Sequence, residues 1–72
     1  MCVAVPAEIL DIADALATVT VGGARLRARL ELVPEAQVGD WVLLHAGVAL
    51  QVMDAAEAQE ILALLEEARL LG

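Results

Sequence analysis

The sequence predicts a mainly β fold: a small antiparallel barrel followed by one C-terminal helix. Three observations lead to this prediction. Apolar residues alternate with other residues in several short segments of residues 1–53, as they do in half-buried strands. Glycine and proline separate these segments at short intervals, which is typical of strands joined by tight turns. From Asp54 onward the apolar spacing becomes that of an amphipathic helix.

Length and composition limit the size of the core. The chain has 72 residues, of which 61% are hydrophobic, and its one aromatic residue is Trp41. We predict a single domain over residues 1–72, with the barrel at about 1–53 and the helix at about 55–71. A domain of this length buries only about 60% of the surface that its unfolded chain exposes. We therefore expect a thin aliphatic core without a large enclosed active site.

The first predicted strand contains a proline. The residues that share its apolar face are Val3, Val5, Ala7 and Ile9. The strand is expected to end within residues 11–14. Because Pro6 removes one ladder hydrogen bond, it predicts either a sheet edge or a β-bulge at this position.

Residues 16–30 predict a β-hairpin that turns at Gly22 and Gly23. Two consecutive glycines readily adopt the positive φ angles of a two-residue turn. The register that follows from this turn has an apolar face, on which Val21 pairs with Ala24, Val19 with Leu26 and Ala17 with Ala28. On its polar face Thr20 pairs with Arg25 and Thr18 with Arg27. Because one register satisfies both faces, the pairing is well specified.

A second pair of strands follows a connection at residues 31–40, which contains proline and glycine among polar residues. Residues 41–53 then predict a strand, a break at Gly47 and another strand. In the first of these two strands His45 has the same parity as Trp41. Their side chains are therefore expected on one face of the sheet.

The C-terminal helix is predicted to begin with a capping box. Asp54 is the expected N-cap, and Glu57 reaches back to it. Met53 and Ala58 occupy the positions of a hydrophobic staple. The buried stripe is predicted to contain Ile61, Leu62, Leu65 and Ala68, with Glu57, Glu60 and Glu67 in solvent and Gly72 as the C-terminal cap. Four or five short strands and this helix favour a small antiparallel barrel of OB type.

The charge balance disfavours several classes of partner. Eleven acidic residues and four arginines give a net charge of −7, which repels nucleic acids and anionic membranes. The longest nearly uncharged run, residues 41–53, is far shorter than the roughly 20 residues of a membrane-spanning helix. Cys2 is the single cysteine, so no internal disulfide can form, and no export signal is evident. We therefore expect a cytoplasmic protein that binds neither nucleic acid nor membrane.

Cys2 and His45 are the candidates for metal chemistry. A thiolate is a soft, strongly donating ligand, and removal of Met1 would give Cys2 a free α-amine beside its thiol. The alternative for Cys2 is a small apolar residue that begins a strand. His45, the one imidazole, can bind a metal or transfer a proton, but on a strand it is also commonly a hydrogen-bonded packing residue. Two such ligands cannot complete a four-ligand structural zinc site, which favours a site shared with a partner.

Arg25, Arg27 and Arg29 alternate along one predicted strand and form the one basic stripe of the sequence. They are either a solvated sheet face or a docking strip for an acidic partner. The glycines match neither of the phosphate-binding patterns Gly-x-x-x-x-Gly-Lys and Gly-x-Gly-x-x-Gly, and no local signature of a catalytic triad occurs.

Residues 1–6 (MCVAVP) and residues 39–50 (GDWVLLHAGVAL) resemble the HypC/HupF family of hydrogenase maturation proteins. Cysteine at position two, proline four residues later and the pattern Gly-Asp-x-Val-x-x-His-x-Gly make the combination specific, and the resemblance covers almost the whole chain. Two differences are mild: Ala7 stands where the family usually has glycine, and Val48 stands where it often has phenylalanine.

The resemblance implies an OB-like barrel that is not an enzyme and that acts as a chaperone and carrier in building the Fe(CN)2(CO) group of nickel-iron hydrogenases. It also implies two successive partners, a HypD-type iron-sulfur scaffold protein and the precursor of the hydrogenase large subunit. The N-terminal cysteine of the family corresponds to Cys2, which would be a ligand of the iron or contact the partner that shares it. The histidine of the second motif corresponds to His45, a further possible ligand.

Three other functions stay open from the residues alone. The first is an OB-type binding module without a metal function. Nucleic-acid-binding modules of this fold combine a basic groove with aromatic side chains on which bases stack. The acidic charge and the single aromatic residue of this chain both oppose nucleic-acid binding. A thiol enzyme would use Cys2 with His45, but the chain has no resolving cysteine. A structural oligomerisation domain would be insensitive to substitution of Cys2.

Overall fold

Five strands and one helix follow one another along the chain. The computed structural model describes residues 4–71, and the side chains of residues 4–68. The elements are β1 (Val5–Ala13), β2 (Leu16–Val21), β3 (Ala24–Arg29), β4 (Trp41–His45), β5 (Val48–Met53) and α1 (Ala55–Leu71). The strands close into a barrel in the order β1-β2-β3-β5-β4. The predicted OB-like barrel with a C-terminal helix is thus confirmed, although one of its five pairings, β3 with β5, is parallel.

The β2–β3 hairpin has the register predicted from its residues. Val21 pairs with Ala24, Val19 with Leu26 and Ala17 with Ala28, and the threonine–arginine pairs alternate with them. Gly22 and Gly23 have φ angles of 55° and 88°, as the two-residue turn requires. The hairpin is therefore determined by contacts that are local in sequence.

The barrel interior holds a compact aliphatic core. The residues of this core are Ala7, Ile9, Ala17, Val19, Ala28, Leu30, Val33, Ala36, Val42, Leu44 and Ala49. Three of these residues, Leu30, Val33 and Ala36, come from the segment that directly follows β3. Two successive turns space them, because Val33 N donates to the Leu30 carbonyl at 2.9 Å and Ala36 N donates to the Val33 carbonyl at 3.0 Å. The connection, which was predicted from proline and glycine among polar residues, also supplies part of the core.

The irregularity in β1 is a β-bulge at Leu10. The pairing of β1 with β2 shifts between Ile9 and Asp11. A bulge at Pro6 was one of two predicted alternatives and is wrong. Pro6 instead pairs with Leu43 of β4 and lies ahead of the β1–β2 ladder, so the missing amide donor interrupts no bond to β2. Beyond the bulge the faces of β1 exchange, which is why Ile12 packs against the core although it has the opposite parity to Ile9.

The helix begins with the predicted capping box. The Glu57 amide donates to Oδ1 of Asp54 at 2.8 Å, and the Asp54 amide donates to Oε1 of Glu57 at 3.4 Å. Met53 and Ala58 are buried, as expected of a hydrophobic staple. The helix packs on β1 and β4.

Burial decreases along the helix from its N-terminal turn. Ile61, Leu62 and Leu65 are half-buried, whereas Ala68 is exposed, so the predicted burial of Ala68 is wrong. The exposed residues of its later turns show that this part of α1 extends beyond its contact with β1 and β4. The proposed cap at Gly72 lies outside the described residues.

Candidate functional site at the His45 end of the barrel

The start of β1 lies beside the end of β4. Their antiparallel ladder runs from the pair Val5–Leu44 to the pair Glu8–Trp41. Cys2 lies outside the described residues, and chain connectivity alone relates it to this ladder. Because successive Cα atoms are about 3.8 Å apart, the Cα atom of Cys2 is within about 11 Å of that of Val5.

His45 is the last residue of β4 and is half-buried. Burial alternates along this strand: Val42 and Leu44 are in the core, whereas Trp41, Leu43 and His45 are half-buried on the other face. The predicted sharing of one face by Trp41 and His45 is confirmed. The imidazole makes no hydrogen bond with any other residue of the described part of the chain.

A tight turn follows His45. His45 pairs with Val48, and between them Ala46 and Gly47 have φ angles of 52° and 81°. The break was predicted at Gly47, and the structure includes Ala46 in it. A left-handed conformation is uncommon for alanine, so the turn holds the end of β4 in one strained backbone arrangement.

We call this end of the barrel the His45 end: here the start of β1 at Val5 lies beside the end of β4, which leads into the β4–β5 turn at residues 45–48. Thr20 pairs with Glu8, so the hairpin turn lies next to the start of β1. The last residue of β3, at the other end of the hairpin from its turn, contacts the β4–β5 turn: the Arg29 amide donates to the Gly47 carbonyl at 2.9 Å. Val5, Arg29 and His45, which are distant in sequence, thus lie on neighbouring strands at this end of the barrel.

The three arginines of the basic stripe do not have equivalent surroundings. All three are exposed on β3. Arg29 forms a bidentate ion pair with Glu31, with Nε to Oε1 at 3.2 Å and Nη2 to Oε2 at 3.0 Å. This hydrogen bonding lowers the pKa of Glu31 and raises the pKa of Arg29. Arg25 and Arg27 have no ion pair with any residue of the described part of the chain.

A family model matches most of this chain. The model of the HupF/HypC family covers residues 1–65, which include Cys2, the arginine stripe and His45. The chain belongs to the HupF/HypC family. The resemblance inferred from the residues is thereby confirmed.

Relatives of this HupF/HypC chain carry informative names. A protein of Azotobacter chroococcum mcd 1 named hydrogenase maturation factor HypC is 44% identical over 68 residues, covering 93% of this chain and 81% of the relative. Its namesake in Rhizobium leguminosarum bv. viciae is 40% identical, covering 93% and 91%. A third, from Escherichia coli strain K12, is 38% identical, covering 92% and 80%. The similarity therefore covers at least 92% of this chain and 80% or more of each of these relatives.

The described part of this HupF/HypC chain contains no enclosed cavity. Within the same residues no three side chains of histidine, cysteine, aspartate or glutamate come together as a group that could hold a metal ion. No helix in residues 4–71 combines the length and apolar character needed to cross a bilayer.

The sequence of this HupF/HypC chain does not predict that one edge of β3 is largely unpaired. β3 meets β5 through the single pair Arg29–Val48, so most of one edge of β3 is uncovered by any strand of residues 4–71. Sequence reasoning assigned β3 to a hairpin and gave its register with β2. The extent of its pairing with β5 depends on the stagger of the closed barrel, which no local pattern encodes.

Proposed function

We propose that this chain is a hydrogenase maturation factor that carries the Fe(CN)2(CO) group of a nickel-iron hydrogenase. It receives this cargo together with a HypD-type scaffold protein and delivers it to the precursor of the hydrogenase large subunit. Family membership and the names of the relatives support the general role. The observation that carries the finer proposal is the pairing of Val5 with Leu44, because it brings the start of β1 beside His45.

Cys2 is the proposed anchor of the cargo. The cyanide and carbon monoxide ligands occupy only part of the coordination sphere of the iron, so other donor ligands must fill the remaining positions. A thiolate is suited to this because it is a soft, strongly donating ligand. The short tether to Val5 keeps Cys2 near the His45 end while leaving it reachable by a partner protein. A protein that supplies few of the ligands can release the iron when a second protein offers replacements.

His45 is proposed to act beside Cys2. Its imidazole is half-buried at the end of β4, and the Ala46–Gly47 turn holds the backbone that bears it. From this position it acts either as a second ligand or as a donor that orients the cyanide nitrogens. Both roles are compatible with an imidazole that makes no hydrogen bond within the described residues.

This role makes the chain a carrier rather than an enzyme, since the cargo changes ligands and no bond within it is made or broken. We place the carrier in the cytoplasm, where a single thiol stays reduced and available as a ligand. The net charge of −7 is consistent with a partner-specific role, because it opposes non-specific adsorption to nucleic acid.

The test is complementation of a hydrogenase-producing host that lacks its own copy of this factor. Cys2→Ser should melt at the wild-type temperature, because residues at a chain terminus contribute few contacts, yet it should give no mature large subunit. Ala4→Ser is the matched control, since it adds a hydroxyl two residues away and should complement fully.

Infrared bands of cyanide and carbonyl on the purified protein should be present in the control and absent in Cys2→Ser. Intact mass shows whether Met1 has been removed.

His45→Ala separates the two roles of the imidazole. Loss of both the infrared bands and maturation indicates a ligand, whereas retained bands with slower maturation indicate an orienting group. Full complementation by Cys2→Ser would contradict the carrier mechanism. It would leave the chain as a binding module of the maturation system without a metal function.

A further inference from the structure

One edge of β3 has no partner strand at the His45 end. On one side β3 pairs with β2 along its whole length, from Ala24 to Arg29. On the other side the single pair is Arg29 with Val48 of β5. Within residues 4–71 no strand covers residues 24–28 on this side, and four of these five residues are exposed. We call residues 24–28 on this side the free edge of β3.

The main-chain groups of Arg25 and Arg27 point out from the free edge. Val21 and Ala24 flank a two-residue turn and therefore form a hydrogen-bonded pair, and such pairs alternate along an antiparallel ladder. Arg25 and Arg27 fall on the non-bonded pairs, so their amide and carbonyl groups face away from β2. Arg29 has the same parity, and its amide indeed donates to Gly47 on the far side at 2.9 Å. The next amide, of Leu30, donates back to Ala15 at 2.8 Å.

The side chains along the free edge present two cations and one apolar group. Arg25 and Arg27 lie on the outer face without an ion pair to any described residue, in contrast to Arg29. Leu26 lies on the opposite face and is 46% exposed although its cross-strand partner Val19 is fully buried. In a chain of net charge −7, this edge is a local basic surface with an apolar contact.

We infer that the free edge of β3 binds an extended acidic segment of a partner protein, which adds as a further strand. Strand addition uses the outward amides and carbonyls of Arg25 and Arg27 for affinity, and the two guanidinium groups select carboxylates on the added strand. The partner is the HypD-type scaffold protein, and this identity rests on the proposed function. The free edge extends past the Ala46–Gly47 turn, so an added strand would bring the partner to the end of the barrel where His45 lies.

A second copy of this chain is a poorer occupant of the same edge. Antiparallel pairing of two β3 edges about Leu26 would set Arg25 of each copy opposite Arg27 of the other. Like charges directly opposite one another destabilise a strand pair, which is how edge strands commonly avoid self-association. The arginines therefore oppose self-association and favour an acidic partner.

The test measures the affinity of the full chain for the purified HypD-type protein at low salt and at about 1 M salt, where the Debye length is about 3 Å. Arg25→Gln with Arg27→Gln should weaken binding about tenfold or more at low salt, and the difference should shrink at high salt. Arg27→Pro removes one guanidinium group and an edge donor but no bond to β2, so it should still weaken binding about tenfold at high salt, where the charge effect is screened. Arg29→Gln is the matched control and should bind within about twofold of wild type, because Arg29 is already paired with Glu31.

Hydrogen exchange supplies a measurement that does not depend on a substitution. The amides of Arg25 and Arg27 should exchange rapidly in the free protein and become protected in the complex. Wild-type affinity in Arg27→Pro, or unchanged exchange at these two amides on binding, would overturn strand addition. If wild type binds the scaffold protein and both variants bind equally well, the inference fails while the proposed function stands. If wild type does not bind it at all, the inference and the proposed partner fail together.

Discussion

At the scale of single residues, the three arginines of the basic stripe differ in whether a neighbouring residue forms an ion pair with them. Arg25, Arg27 and Arg29 have the same parity on β3, yet Glu31 engages Arg29 alone. Glu31 follows the last strand residue by two positions, where the chain leaves the sheet and its carboxylate can reach back. The alternation in the sequence predicts a common face for the three arginines, and the ion pair leaves two of them available for a partner.

The Arg29–Glu31 pair makes a prediction about titration. The hydrogen bonds from Arg29 lower the pKa of Glu31, so the pair stabilises the fold above the unfolded-state pKa of Glu31. That contribution is lost as the pH falls through the lowered, folded-state pKa. Arg29→Gln should raise the pKa of Glu31 towards its ordinary value, as followed by NMR titration of the side-chain carboxyl. Arg27→Gln is the control, and an equal rise there would contradict a specific pair.

At the scale of elements, the β2–β3 hairpin depends on its turn. Gly22 and Gly23 both have positive φ angles, and a Cβ atom built on either residue meets no atom within 4 Å. Any cost of a side chain at these positions therefore comes from the backbone conformation and not from a clash. The turn also fixes which amides of β3 face the free edge, because it sets the phase of the β2–β3 ladder.

Replacement of both turn glycines by valine should lower the free energy of unfolding by about 1–3 kcal/mol, because a β-branched residue strongly disfavours positive φ. Gly22→Asn is the control, since asparagine tolerates the left-handed region and should lose much less. The measurement is urea denaturation followed by Trp41 fluorescence. An unchanged midpoint in the double valine variant would show that the turn does not determine the register.

At the scale of the whole molecule, α1 covers the outside of β1 and β4. Ala58 is fully buried at this contact, and Pro6 is buried although it lies on the outer face of β1. The later part of the helix is exposed, with Leu64 at 63%. The N-terminal turns of α1 are thus the part that completes the fold.

Ala58→Glu should lower the free energy of unfolding by about 2 kcal/mol or more, because it forces a carboxylate into a fully buried position. Ala63→Glu introduces the same side chain at an exposed position of the same helix and should cost about 1 kcal/mol or less, mainly through repulsion from neighbouring glutamates. Equal midpoints for the two variants in urea denaturation would contradict the packing of α1 on the barrel.

The sequence alone determined the features that depend on neighbouring residues. The hairpin register follows from two glycines and two matched faces, and the start of α1 follows from the spacing of Asp54 and Glu57. The position of His45 on the Trp41 face follows from strand parity. Cys2 and His45 were named by their residue chemistry and by the resemblance to the HypC/HupF family. These signals are legible because their interactions span a few positions of the chain.

Only the tertiary structure decided how these pieces meet. The bulge at Leu10, the exposure of Ala68 and the pairing of Val5 with Leu44 all depend on segments far apart in sequence. The free edge of β3 depends on the stagger with which the barrel closes at Arg29 and Val48. Closure of a barrel is a collective property, since strand tilt and register must agree around the whole circuit. No single segment of the sequence carries that information.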